Sequence, residues 1–252
     1  MALSLILRLV LEIDIYAIFL FLFLTRDSVT FSLKGVTQRI KMHIPDGFLD
    51  PIICIVTYLV MISYGVYAYV RIRDSLSIET ISRMTVLASG IFVAQMIAWP
   101  IPGGTSLHFL GGGLAGILLG PYMGFFAMFL VLLVQCIVFH DGGITTLGAN
   151  VLNMAIVGVL VGYWVYQAVT KIIKGRNGAL IGGFLAGLFS LGLAGTVAGL
   201  EIGLSTLFVY PISLTVPVMA GYHFALGVVE GLITALVVAY LYSRGMLSTE
   251  VA

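Results

Sequence analysis

Six apolar runs long enough to cross a lipid bilayer follow one another at 51–70, 81–99, 122–139, 148–169, 178–204 and 216–242. A spanning helix needs about 20 mostly apolar residues, so this succession leaves little room for anything except repeated crossings. A shorter run at 107–120 is apolar and glycine-rich. No continuous soluble domain separates the runs. With 60% hydrophobic residues against 9% charged, the chain has too little polar surface to clothe a water-soluble globule. Strand alternation is absent, and Gly and Pro fall mainly where runs meet or end, which favours a helical bundle over a barrel. The expected fold is all-α, a polytopic integral membrane protein with about seven transmembrane helices after Met42.

Threading those runs with the Met42 end outside puts Arg71, Arg73, Arg83, Lys171, Lys174, Arg176 and Arg244 at or beside inner ends. This is the positive-inside bias, and it places the C-terminus in the cytoplasm and the chain in the cell membrane. A net charge of +1 gives no reason to expect nucleic acid. Cys54 and Cys136 lie inside apolar runs and read as small buried thiols rather than a disulfide framework. His43, His108, His140 and His223 all thread at or near outer ends, which raises a metal hypothesis, although a single helix-end histidine is more often an interfacial polar residue.

Residues 1–41 do not fit this pattern. The stretch "LSLILRLVLEIDIYAIFLFLFL" is apolar but interrupted by Arg8, Glu12 and Asp14, which makes it a poor span. No small-x-small cleavage site precedes Met42. An incorrectly assigned start, an unusual cleaved leader and a retained eighth helix are the three accounts. The segment is expected to stand apart from the 42–252 membrane domain.

The junction reads "KMHIPDGFLDP". A chain beginning Met42-His43 offers its α-amine, the His43 amide nitrogen and the His43 imidazole as three nitrogens that chelate one ion through fused rings. One further nitrogen completes a plane, the geometry preferred by Ni(II) and Cu(II) and accessible to Co(II). Amine and imidazole must lose their protons to bind. The amine is available only if Met42 is the first residue, because a preceding peptide bond makes it a non-basic amide. Pro45 stiffens the exit. Asp46 with Gly47 supplies a turn that aims the tip back into the bundle, and Asp46 could accept a hydrogen bond from it. Alone, "IPDG" is more often an ordinary loop before a helix.

The fourth nitrogen is expected from "PIPGGTSLHFLGGGLAG", residues 100–116, where His108 is the best candidate and Ser106 lies two residues before it. Pro100 and Pro102 end the preceding helix, Gly103 and Gly104 permit close backbone approach, and Gly111, Gly112 and Gly113 let the next helix pack tightly. Asn150 and Asn153 lie three apart on one helix face and could hydrogen-bond the chelating loop or simply join helices. Glu230 is read as the single acid deep in a span, seven residues from His223 on the same face, in a structural or supporting role. Gln95 is buried and unassigned. Glycines at four-residue spacing (183 and 187; 195, 199 and 203; 227 and 231) suit close helix packing or docking to a partner subunit. Nothing reads G-x-x-x-x-G-K-[ST], so ATP must be hydrolysed elsewhere if transport is uphill. Rival readings are an intramembrane hydrolase, which has no HExxH and only an unsupported Ser205 and His223 pair, and a passive channel, which lacks a polar stripe.

"MHIPDGFL" at 42–49, "GGTSLHFLGG" at 103–112 and "DGGITTLGANVLNM" at 141–154, in that order, resemble the CbiM/NikM family. These are substrate-specific membrane components of energy-coupling factor transporters for cobalt or nickel, and the resemblance covers essentially all of 42–252. It implies a seven-helix bundle and no enzymatic activity. The ion it implies is Co(II) or Ni(II), held by the Met42 amine, the His43 amide and imidazole, and His108. Separate ATPase subunits, a transmembrane coupling subunit and a small accessory membrane subunit are the implied partners, within membrane lipid, and the implied role is supply of cobalamin synthesis or nickel enzymes. The resemblance argues for starting the reading frame at Met42. His140 stands where relatives are expected to carry Gly, and with Asp141 it could add an outer capture ligand.

Overall fold

The computed structural model describes residues 30–33, 36–39, 42–96, 98–101 and 105–247. The chain divides into two units, Met1–Ile40 and Lys41–Ala252. In the first, β1 (Thr30–Leu33) pairs antiparallel with β2 (Val36–Arg39), Thr30 opposite Arg39. The apolar stretch before it lies outside the described residues.

The second unit is helical. α1 (Pro51–Ile72) and α2 (Ile78–Gln95) lead to a hairpin of β3 (Ala98–Ile101) and β4 (Thr105–His108). Next come α3 (Gly112–Ile137), α4 (Leu147–Val151), a π-helix (Leu152–Gly158) and α5 (Val159–Ile172), then α6 (Gly175–Leu204) and α7 (Ile212–Ser243). Among the described residues five helical segments are long and apolar enough to cross a membrane: 51–75, 112–137, 147–172, 175–204 and 212–243. Their outward faces carry exposed apolar side chains such as Ile52, Leu59 and Val66 on α1 and Leu232 and Leu236 on α7. Lipid tolerates such a face and water does not. The protein is a helical, multi-pass membrane protein.

Three sequence expectations change here. Strands do occur, as two short hairpins. The helix expected over 81–99 stops at Gln95, because prolines at 100 and 102 have no amide hydrogen to continue it and push their predecessors toward extended backbone. The run expected over 107–120 is strand as far as His108, and its helix starts only at Gly112 after Gly111 turns at φ +77°. Pro102, Gly103 and Gly104 lie outside the described residues.

α3 is not one straight rod. Gly120 has φ 74° and ψ 179°, and Pro121 follows it. A straight helix would hold its two ends about 1.5 Å per residue apart, yet Leu110 and Gln135 both hydrogen-bond the same Gln95 amide. The chain therefore reverses at Gly120 into two limbs, and both open onto the same end of the bundle.

Glycines set how closely the helices approach. A Cβ on Gly162 would lie 2.3 Å from the Gly113 Cα, and one on Gly116 2.4 Å from the Val159 carbonyl oxygen. The α6 and α7 glycines face each other's backbones: Gly187 meets Gly231, Gly183 meets Ala235 and Gly199 meets Val216. The four-residue glycine spacing thus serves packing within the bundle.

Candidate metal centre

The segment 42–46 is a tip laid into a cradle made by residues 141–150. The Met42 nitrogen donates to Asp141 Oδ1 at 2.7 Å. The Ile44 amide donates to Asn150 Oδ1 at 3.0 Å, while its carbonyl accepts from Thr146 Oγ1 at 2.6 Å, Asn150 Nδ2 at 3.1 Å and the Gly143 amide at 3.0 Å. Asp46 closes the far side by accepting from the Thr145 amide at 2.8 Å and the Thr145 hydroxyl at 2.5 Å. Gly47 turns the chain at φ +88°. The glycines of "DGG" are required by space as well as by conformation. Gly142 sits at φ +85°, where a Cβ would be 3.0 Å from that of His43, and a Cβ on Gly143 would strike Asp46 at 2.3 Å.

Proton positions around His43 are set by one backbone carbonyl. Leu110 O can only accept, so Gln95 Nε2 donates to it at 2.6 Å and Gln95 Oε1 faces away. Gln135 Nε2 donates to that oxygen at 2.9 Å, which turns Gln135 Oε1 toward His43 Nε2, also at 2.9 Å. His43 Nε2 is therefore the protonated nitrogen and Nδ1 carries the lone pair. Nδ1 is buried and has no hydrogen-bond partner. The same logic fixes His108: its Nδ1 donates to the Phe109 carbonyl at 2.9 Å, leaving Nε2 with the lone pair. The two rings meet edge to face, with centroids 4.9 Å apart and planes at 87°. His43 and His108 are 5% and 7% exposed, so both lone pairs sit in a place that bulk water does not serve.

His108 is held in place through Leu110 and Gly111, whose amides donate to the two Glu230 oxygens at 2.8 and 2.9 Å. A carboxylate on α7 thereby satisfies amides at the start of α3, where orphan N–H groups gather. At the other edge, Asp50 caps α1 by accepting from the Ile52 and Ile53 amides at 3.1 Å each, and it accepts from the Thr206 amide at 3.2 Å. These donors, led by Ile53, hold its carboxyl below the usual carboxylate range.

A cavity of about 40 Å³ lies under the tip, walled by Met42, His43, His108, Asn150, Asn153 and His223 together with apolar side chains. Among the described residues no three His, Cys, Asp or Glu side chains converge on one point as metal ligands. An ion held here needs backbone nitrogen as well as imidazole.

The structure brings Met42, His43, Asp46, His108, Asp141 and Asn150 together at the tip, and Asn153 and His223 line the cavity beneath it. His140 is exposed at φ 53°, next in the chain to the Asp141 that accepts from the Met42 nitrogen. Ser106 lies in β4 opposite Pro100. Asn153 turns from the tip to donate to Glu201 at 2.6 Å, because the wider π-helical turn at 152–158 takes it off the Asn150 face. His223 and Glu230 do not act as a pair: the His223 ring bonds the Met219 carbonyl at 2.7 Å while Glu230 binds the 110–111 amides. Glu230 is also not the single buried acid, since Glu201 is 7% exposed. Glu201 lies within the apolar run 178–204, three residues before the end of α6, and was not singled out from the sequence. Gln95 and Gln135 orient the His43 ring, and a lone glutamine in an apolar run carried no signal of that. Ser205 Oγ accepts from the Asp50 and Leu207 amides, so it forms no hydrolytic pair with His223.

Residues 43–246 match the family model described as CbiM, the cobalt uptake substrate-specific transmembrane region. A protein of Archaeoglobus fulgidus, provisionally named a fused nickel transport protein NikMN, is 52% identical over 200 residues, 79% of this chain and 65% of that one. The fused nickel transport protein NikMN of Rhodobacter capsulatus is 38% identical over 214 residues, 79% of this chain and 61% of its own. The chain thus spans less than two thirds of the length of either relative. A crystal structure of a truncated transition metal transporter is 32% identical with a TM-score of 0.74, covering 81% of this chain and 99% of that one. With the model matched from the tip's histidine to just beyond α7, the chain belongs to the CbiM family of cobalt uptake substrate-specific transmembrane regions.

Proposed function

We propose that this chain is the substrate-binding membrane component of an ATP-driven energy-coupling factor importer for Ni(II) or Co(II). Met42 N, His43 N, His43 Nδ1 and His108 Nε2 are the four donors. The observation that carries this is His43 Nδ1: a buried imidazole lone pair without a partner, beside the imidazole of His108, whose Nδ1 is taken up by the Phe109 carbonyl. Leaving a polar atom so placed costs about 1–3 kcal/mol unless something binds it. A divalent ion that accepts nitrogen in a plane fits the requirement.

The working terminus in this proposal is Met42, with 1–41 outside the metal-capture domain. A metal-bound primary amine retains two hydrogens, one of which serves the Asp141 contact seen at the Met42 nitrogen; a peptide amide at that position would have to give up its single hydrogen to bind the ion and would have none left for Asp141. Asp46, Asn150 and Thr146 fix the tip, and Gln135 and Gln95 fix the His43 ring, as outer partners do at metal sites generally. The family description names cobalt and the two relatives name nickel, and the donor set suits either ion. The tip end faces outside and the C-terminus the cytoplasm, as the Lys and Arg distribution requires. Separate ATPase subunits and a membrane coupling subunit, with a small accessory membrane subunit, supply the work of release.

Metal analysis of purified protein whose first residue is Met42 tests this. About one Ni(II) or Co(II) per chain is expected, with loss of that ion when a single Ala is placed ahead of Met42. Equal retention by the extended protein overturns the proposal.

A further inference from the structure

Of the five spans, α1 is the one least covered by the rest of the bundle, and its outward face is not uniform. Leu59, Val60, Ser63, Tyr64 and Tyr67 line a groove of about 450 Å³ along it. Leu59, Ser63, Tyr67 and Arg71 recur at four-residue spacing, so the groove and the Arg71 side chain share one stripe of the helix. The stripe ends in polar groups that meet at one atom. Arg71 Nη2 donates to Tyr67 Oη at 2.9 Å, Tyr122 Oη lies 3.4 Å from that same oxygen, and the Arg71 guanidinium carbon sits 5.1 Å from the Tyr67 ring centre. Tyr122 follows the Gly120–Pro121 reversal of α3, and Tyr64 is tied to the same reversal by donating to the Pro121 carbonyl at 3.3 Å. Arg73 and Arg83 pair with Asp74 and Glu79, whereas Arg71 pairs with no carboxylate among the described residues. It is a positive charge oriented by tyrosines and left without a counter-charge.

We propose that this face of α1 binds one anionic phospholipid, with an acyl chain in the groove and the phosphate on Arg71 and the Tyr67 and Tyr122 hydroxyls. Length assigns the tail. Arg71 stands about 30 Å along the helix from Pro51, the thickness of a hydrocarbon core, and about 18 Å from Leu59. The groove therefore runs from near the bilayer midplane to one interface. That is the reach of one leaflet's chain, and it is too short for a partner's spanning helix. Charge assigns the head. A guanidinium flanked by hydroxyl donors makes charge-assisted hydrogen bonds to phosphate oxygens, and the ammonium of a zwitterionic headgroup would be drawn toward a like charge. With the tip outside, the interface at Arg71 is the cytoplasmic one, where the membrane surface is negative. Only this choice of leaflet uses the orientation proposed above; the lipid site is independent of the four nitrogen donors.

Native mass spectrometry of the full-length chain in detergent, with equimolar phosphatidylglycerol and phosphatidylcholine carrying the same acyl chains, tests this. The first lipid retained is expected to be phosphatidylglycerol about five times as often as phosphatidylcholine. Arg71→Gln is expected to bring the two lipids to near parity. Arg244→Gln removes another exposed arginine at an inner helix end, 5.3 Å from the Tyr240 ring centre but beside no such groove, and is expected to leave the preference in place. Ser63→Trp, which fills the groove, is expected to weaken both lipids without changing their ratio. Equal loss in the two arginine variants would mean diffuse surface charge and overturns the site. So does undiminished lipid binding by Ser63→Trp, or a second copy of the chain retained in place of lipid. Absence of a preference in wild type overturns it with no variant needed, so misfolding of a variant does not shield the proposal.

Discussion

The decisive residue is His43, because everything around it fixes one tautomer. A backbone carbonyl at Leu110 sets Gln95, Gln95 sets Gln135, and Gln135 takes the Nε2 proton, so that Nδ1 faces the cavity as a base. His43→Ala or His108→Ala is expected to abolish ion binding with the bundle still folded, by metal content and thermal melting side by side. Gln135→Leu tests the relay: it leaves His43 free to take the other tautomer, and metal affinity is expected to fall about 10–100-fold, measured by competition with a chelator. Gly142→Ala puts a side chain at φ +85° and 3.0 Å from the His43 Cβ. A left-handed position costs a residue with Cβ about 1–2 kcal/mol, and the expected result is a weaker tip and lower affinity with little change in helix content.

At the scale of elements, the site depends on where helices stop. α2 ends at Gln95, α3 begins after Gly111 and reverses at Gly120, and α1 begins at the Asp50 cap. Asp50 is the pH-sensitive joint outside the spans. Its carboxyl is lowered in the folded protein, so its contribution is fully present above the unfolded carboxylate pKa near 3.8 and is lost as pH falls through the lower folded value. Asp50→Asn is accordingly expected to lower the melting temperature at pH 7 and to differ little from wild type at strongly acidic pH. Equal destabilisation at both would show that the charge is irrelevant. Much of this level was legible. Pro100 and Pro102 marked the end of α2, the 111–113 glycines marked a tight packing point, and the 120–121 break fell where Gly120 and Pro121 stand. The small β3–β4 hairpin was not legible, because four-residue strands flanked by apolar helices leave no alternation long enough to read. The π-helix was not legible either, because a single widened turn has no compositional mark.

For the whole molecule, the testable property is an order of dependence: the bundle does not need the terminus, but the ion does. Protein extended by one residue before Met42 is expected to melt as the unextended protein does in the absence of metal, and to lose the stabilisation that Ni(II) confers on it. Ligand binding adds stability in proportion to the logarithm of ligand concentration over its dissociation constant, so the two melting curves should separate only when metal is added. A cysteine replacing Lys174 at the α5–α6 turn should label only from the cytoplasmic side of intact cells. Labelling from outside would reverse the orientation.

Sequence alone determined the solvent and the helical class, and it singled out the Met42–His43 segment that we propose as the chelating tip. Sixty per cent hydrophobic residues in successive runs admit few other folds, and Met-His-x-Pro places its donors by covalent connectivity, which is local and therefore readable. Only the tertiary structure decided what holds those donors. Asp141 lies 99 residues from Met42, Gln135 lies 92 from His43, and Glu230 lies 119 from Gly111. Such pairings depend on which helix faces meet, and that is settled by how glycines let backbones approach across the bundle rather than by any short stretch of chain. The same cause hid Glu201, whose burial beside Asn153 exists only once α6 packs against the π-helix.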